Sequence, residues 1–403
     1  MITRRNFIKS AALFPGAFYL PSLAATELPP ANLVVVFMRG AVDGLSMVPP
    51  VADRHYYDSR RDIAIPAPGS AGKDSALELD GRFGLHPALR PFHTLFQQGR
   101  LAALPGCGSP VNSRSHFDAQ DFMESGMAGD RQVQDGWMNR VMAQLKRESM
   151  IDAVAMTTTL PRSLQGKARV LNIPDLDQFE IGYASARGSI RRDETAEWLL
   201  ERLYTGSPLA DTTQVSLAAV RELRARKYQS TSVAYPDGEF SHQLKQLAQL
   251  IKSNLGLRLG FVEIGGWDTH ANQGGSVGQL AGNLYRLSYG LEAFFKDLGE
   301  LGNNTVVITL SEFGRTVKQN GNRGTDHGHG TSFFVMGKPV RGGRVLGTMP
   351  ELHPDALYQG RDLPVTTDYR DVIADLVREH LGVQDLGQVF PGYRPSGVGG
   401  LLV

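Results

Sequence analysis

The chain has 403 residues, 41% of them apolar and 21% charged, a globular composition that excludes a disordered chain. Lys and Arg number 42 against 41 Asp and Glu, a net charge of +1, so no basic surplus suits it to nucleic acid. The single cysteine, Cys107, excludes an intrachain disulfide and any cysteine zinc cluster; a metal would have to be held by histidines and carboxylates.

Thr3-Arg4-Arg5-Asn6-Phe7-Ile8-Lys9, a short apolar stretch at 11–20 and the small residues before Ala25 read as a twin-arginine signal peptide over 1–24. Cleavage after Ala24 removes Arg4, Arg5 and Lys9 and no acid, taking the net charge from +1 to −2. The expectations are export by the twin-arginine translocase, a periplasmic or secreted location, and no membrane span in the mature chain, 25–403, read as one domain.

Residues 33–38 are a continuous apolar run and predict a buried strand, ending in Arg39-Gly40-Ala41-Val42-Asp43-Gly44. Residues 50–82, rich in Asp, Arg, Pro and Gly, read as a surface insertion. A short strand at 101–104 precedes Ser115, which fits the N-cap of a helix beginning His116-Phe117-Asp118. A second insertion, about 150–235, mixes short strands at 153–156 and 170–173 with polar helices at 194–204 and 217–227. Then Leu244, Leu247, Ala248 and Ile251 mark a helix, followed by a strand at 257–264, a helix at 277–298 and a strand at 306–310. That βαβ rhythm predicts a parallel sheet. A strand at 332–336 and a helix at 369–380 close the chain.

Chemistry-bearing residues collect at the predicted strand ends. Asp43 follows the first strand, Asp268-Thr269-His270 the strand at 257–264, and Glu312 and Arg315 the strand at 306–310. Asp326-His327-Gly328-His329 comes shortly after, its glycines leaving the backbone free to bend. Ligands of open α/β sheets bind beyond the carboxyl ends of strands, and imidazole with carboxylate is the ligand set of zinc, manganese or iron. The alternative is that the aspartates cap turns and the histidines bond carbonyls. Ser115, at a helix start beside free N–H groups, is either a nucleophile or a simple N-cap. No Walker-type phosphate loop is present. Aromatic residues are 8% and scattered, so no sugar-stacking platform is legible, Trp267 beside Asp268 excepted.

These segments resemble the DUF1501 family of exported bacterial proteins, within the alkaline phosphatase and sulfatase superfamily. The matching stretches are the leader, Met38 to Gly44, Ser115 to Gln120, Gly266 to His270, Ser311 to Thr316 and Gly324 to Gly330. The resemblance implies an α/β fold with a doubly wound, mostly parallel sheet flanked by helices. It also implies one or two divalent metal ions, zinc first and manganese or iron as alternatives, and transfer of phosphoryl or sulfuryl groups through a serine. By position, Asp43 would hold one metal, with Ser115 as nucleophile beside it; Asp268, His270 and His329 would hold the other, with His327 able to replace His329. Asp326 and Glu312 complete the candidate ligands, while His116 would assist proton transfer and Arg315 would clamp the substrate anion.

Two departures stand out. The superfamily's Asp-His after the penultimate strand reads Glu312-Phe313 here, so the Asp43 metal lacks an imidazole unless Asp326-His327 folds back to supply it. The superfamily's Asp-x-x-x-His is shortened to Asp268-Thr269-His270. The leading expectation is an exported metal-dependent hydrolase of phosphate or sulfate esters, its partner an anionic ester small molecule. The alternatives are a catalytically degenerate member binding an extracellular glycan or protein partner, and a metal-free assembly factor. No formylglycine sulfatase pattern occurs; around Cys107 the chain reads Cys107-Gly108-Ser109-Pro110-Val111.

Overall fold

The computed structural model describes residues 30–145, 151–176 and 231–403, with 183–184, 190–191 and the single positions 202, 218 and 221. The leader 1–24 and, single positions apart, the expected helices at 194–204 and 217–227 lie outside the described residues. Nine strands form one sheet: β1 (Asn32–Met38), β2 (Leu101–Gly108), β3 (Ala153–Ala155), β4 (Leu171–Asn172), β5 (Leu259–Ile264), β6 (Thr305–Leu310), β7 (Thr331–Met336), β8 (Arg344–Val345) and β9 (Thr367–Asp368). Their order is β8-β2-β7-β6-β1-β5-β3-β4, with β9 also paired to β2.

Strand β1 lies between β6 and β5 and is parallel to both, in the register Val35 to Ile308 and Val35 to Phe261. Strand β7 runs antiparallel to β6 and β2, a reversal the sequence did not reveal. A parallel neighbour needs a crossover, usually a helix, and the 311–330 connection contains none.

Flanking helices explain why β1 is apolar from Leu33 to Met38. Val34, Val36 and Met38 pack on one face against Phe92, Leu247, Leu284 and Leu291, which belong to α3 (Arg90–Gln97), α6 (Glu239–Lys252) and α7 (Gln279–Leu298), numbered after the short α1 (Gly44–Met47) and α2 (Arg54–Ser59). Leu33, Val35 and Phe37 meet Trp137, Val141, Tyr369 and Val372 on the other, from α5 (Trp137–Gln144) and α8 (Tyr369–Asp375), α4 being His116–Ser125. Period-two alternation with both faces covered leaves no position for a polar residue.

The 50–82 insertion is less superficial than its composition suggests: Tyr56, Arg60, Ile63 and Ile65 are all buried. Among the described residues no helix is long and apolar enough to cross a membrane. The topology positions the site. Strands β1, β2, β5 and β6 end at the edge where the reversed β7 begins, so the loops at 39–44, 109–115, 265–270, 311–316 and 324–330 gather there.

Candidate metal centre

Ser115 caps α4, its hydroxyl accepting from the Asp118 N–H at 3.5 Å, and the helix ends at Gly126 in the left-handed region. That cap places His116 in the first turn, facing the ends of β5 and β6. The loop after β5 lies close against the turn after β1: Gly40 in that turn has φ +116°, and a side chain there would come within 2.9 Å of the Asp268 amide. A Cβ on Gly328 would lie 2.4 Å from the Arg315 carbonyl carbon, so glycine is what lets the 324–330 loop lie against the 311–316 loop.

Three imidazoles and a carboxylate converge where these loops meet. His327 Nε2 is 3.1 Å from both His116 Nε2 and His270 Nε2. Asp268 Oδ1 lies 3.0 Å from His270 Nε2 and 3.2 Å from His327 Nε2, and Oδ2 lies 3.6 Å from His116 Nε2. Each Nδ1 faces an acceptor: Glu312 Oε1 at 2.8 Å from His116, Asp326 Oδ1 at 3.0 Å from His270, and the Arg114 carbonyl at 2.9 Å from His327. An Nδ1 that donates carries the ring proton, which leaves its Nε2 a bare lone pair.

Three lone pairs and a carboxylate aimed at one another repel, and a cation resolves the repulsion. Metal-bound histidines characteristically donate their second nitrogen to carboxylate or carbonyl. Ligand bonds of about 2.0–2.1 Å in a tetrahedron place donor atoms about 3.3 Å apart; the atoms of His116, Asp268 and His327 lie 3.1 to 3.6 Å apart, and His270 Nε2 lies 3.0 and 3.1 Å from Asp268 and His327. His116, Asp268 and His327 fit a divalent ion, with His270 against two of them.

The surroundings set the charges. The hydrogen bond to Glu312 raises the pKa of His116 against its burial, while burial is the main reason that His327 sits below the ordinary value. Burial pushes Asp268 up, but Arg315, donating to Oδ1, brings it below the usual range. Burial likewise raises Glu312, and the donors His116 and Gln120 and the Gly40 N–H hold it down. The amide of Asn320, 3.0 Å from Asp326 Oδ1, is the main cause of the lowered Asp326.

The expected site residues divide accordingly. Asp268, His270 and His327 join in the cluster, and Glu312 and Asp326 stand behind His116 and His270. Asp43 does not reach it. Its carboxylate is fully buried against Arg60, at 2.5 and 2.9 Å, and accepts from Ser46 at 2.7 Å and Gln273 at 2.6 Å, three of the four donors falling on Oδ2. Arg60 is held in turn by the Thr316 and Val317 carbonyls.

His329 points elsewhere, with Nε2 3.0 Å from the Ser109 carbonyl and its ring against Tyr358. Arg315 is 1% exposed and donates to the carbonyls of Gly40, Ala41, Trp267 and Thr325 as well as to Asp268, so it braces the loops and has no free edge for an anion. Trp267 is a core residue, its indole bonded to the Ile264 carbonyl.

Sequence reasoning gave His116 a proton-transfer role; the geometry puts it among the converging imidazoles. The signal was available in its place directly after the cap, on a loop at the same sheet edge. His116 and His327 both come to Asp268, in one cluster and without Asp43.

Comparison with known proteins follows from this picture. Two solved structures resemble the chain distantly. The C-terminal periplasmic domain of EcEptC from Escherichia coli, in complex with Zn, is 10% identical over 77% of this chain and 73% of that one, at a TM-score of 0.37. The PsFucS1 sulfatase from Pseudoalteromonas sp. is 12% identical over 78% of this chain and 64% of its own, at 0.34. No curated protein matches the chain significantly. Residues 30–391 match the family described as "Protein of unknown function (DUF1501)", and the chain belongs to it.

Proposed function

We propose that this chain is an exported, divalent-metal-dependent hydrolase of phosphate or sulfate esters, with Ser115 as nucleophile. The observation that carries the reading is the convergence of three imidazole Nε2 atoms on Asp268, with Ser115 directly before His116 in the chain, at the start of α4. His116, Asp268, His270 and His327 would hold the ion, zinc being the simplest match to a nitrogen-rich set. A bound ion of this kind neutralises ester oxygens and lowers the pKa of a nearby hydroxyl.

The chain's own residues do the rest. Glu312, Asp326 and the Arg114 carbonyl fix the tautomers and orient the rings. The amide end of the ten-residue α4 favours negative charge near Ser115. Arg315 keeps Asp268 ionised and in place. The Thr3 to Lys9 leader supports export by the twin-arginine route.

The test measures metal content and turnover on the same preparation, purified without chelator. About one equivalent of metal is expected, lost in His270→Ala. Turnover of aryl phosphate or sulfate esters should fall by at least about 10³-fold in Ser115→Ala, with metal retained. Metal-free protein that takes up neither zinc nor manganese would sink the metal reading. Full metal with turnover untouched by Ser115→Ala would sink the nucleophile.

The engagement of Asp43 by Arg60 favours one second reading, a member of the superfamily that holds metal but binds without turnover. Metal present with no ester hydrolysed is its outcome.

A further inference from the structure

Two adjoining hollows flank the carboxyl end of β5. The first, of about 240 Å³, is walled by Glu263, Ile264 and Gly265 at the strand end, by the start of α6, and by Arg286 of α7. The second, of about 270 Å³, lies between Tyr235-Pro236 and the Tyr285 and Tyr289 rings of α7. Chain neighbours divide between them: Pro236 and Tyr285 line the second, Asp237 and Arg286 the first, so the two make one groove. Gly265 lines its inner end, and Asp268 of the cluster follows three residues later on the same loop.

The first hollow is lined by polar groups with hydrogen-bonding capacity to spare. Ser241 lines it at 3% exposure, and among the described residues no hydrogen bond engages its hydroxyl. Gln243 also lines it and is equally buried; its Oε1 accepts from the Glu263 N–H at 3.1 Å. Helix α6 has Gly238 as its N-cap, with no capping side chain, and Gly238 to Ser241 line the same space.

The chemistry of the lining selects that partner. Asp237, Glu239 and Glu263 would repel an anion, while Arg286 and the amide end of α6 would repel a cation. A neutral polyol suits both sets, its hydroxyls donating to carboxylates and accepting from amide and guanidinium. The second hollow supplies the apolar face a sugar ring requires. Tyr285 and Tyr289 stack on each other at 4.2 Å, Tyr285 remains 47% exposed, and Tyr235 is fixed by its hydroxyl to Asp297 at 3.0 Å. Such rings cover apolar surface while their hydroxyls stay wet.

We propose that this groove binds a saccharide chain, one ring lying on Tyr285 and Tyr289 and the next hydrogen-bonded by Asp237, Ser241, Gln243 and Arg286. The binding stands whether or not the cluster is catalytic. Where the hydrolase reading also holds, and resting on it, the sugar is the alcohol part of the ester.

The test is saturation-transfer NMR of the full chain with neutral hexasaccharides of β-1,4-linked glucose, mannose and N-acetylglucosamine and of α-1,4-linked glucose. Saturation should reach at least one of them. Affinity for it should fall about tenfold or more in Tyr285→Ala, an exposed change that leaves the core intact, and in Gln243→Leu. Tyr285→Phe should keep the binding, and so should His270→Ala. The proposal is overturned if no hexasaccharide receives saturation, or if Tyr285→Ala binds as the parent does. Loss in His270→Ala with Tyr285→Ala unaffected would also overturn it, by placing the ligand at the cluster. Absence of ester turnover sinks the hydrolase reading and leaves this one standing.

Discussion

His116, His270 and His327 each keep one ring nitrogen on a protein acceptor and turn the other toward Asp268, and that division of labour is what suits the cluster to a metal ion. Glu312 is the most telling of the acceptors because it is wholly buried and receives His116, Gln120 and the Gly40 N–H on a single oxygen. Glu312→Gln keeps the shape and removes the charge. The expected outcome is a loss of about 10- to 100-fold in metal affinity, read by competition with a chromophoric chelator, with the melting temperature of the metal-free protein little changed. An unaltered affinity would reduce Glu312 to a packing role. The spacing Asp-His-Gly-His could not say which histidine would converge. That depended on His327 finding the Arg114 carbonyl while His329 turned to Ser109.

Between elements, the Asp43–Arg60 pair ties the turn after β1 to the segment after α2 and to the carbonyls of Thr316 and Val317. Both side chains are 0% exposed, so removing one leaves an unpaired buried charge, a change that costs about 3–5 kcal/mol. Asp43→Ala should therefore lower stability by roughly that amount in denaturant titration, with the metal content of the folded fraction unchanged. Metal lost at unchanged stability would restore Asp43 as a ligand. The elements themselves were largely legible: the runs and helical spacings placed β1, β5, β6, α6 and α7 to within a few residues. The 50–82 segment was misjudged because polar composition hides single buried side chains such as Tyr56 and Arg60, whose partners are remote in sequence.

For the molecule as a whole, His86 links the 84–89 segment to the 270–278 loop. Its ring is buried, accepts from the Ala88 N–H at 3.0 Å and meets the Gly275 carbonyl at 3.1 Å. Burial pulls its pKa from 6.5 down to about 4. The unfolded chain thus takes up the proton first, so this contribution to stability is complete above pH 6.5 and is lost as the pH falls toward 4. Chemical unfolding at pH 7 and pH 4.5 should show His86→Gln losing about 2 kcal/mol less than the parent between the two. Equal losses would exclude His86 as a source of acid sensitivity.

The sequence by itself determined the α/β class, the family and the strand ends where the chemistry gathers, because apolar periodicity and glycine-bounded motifs are local properties of the chain. The tertiary structure alone decided the direction of β7, the burial of Asp43 against Arg60 and of Arg315 against the loop carbonyls, and the meeting of His116 with residues 327 and 268. It also brought Tyr235 beside Tyr285 and Tyr289, a platform invisible in a scattered aromatic content. Each of these rests on which hydrogen-bonding or packing partner a side chain finds across the fold, and no short window of sequence contains both partners.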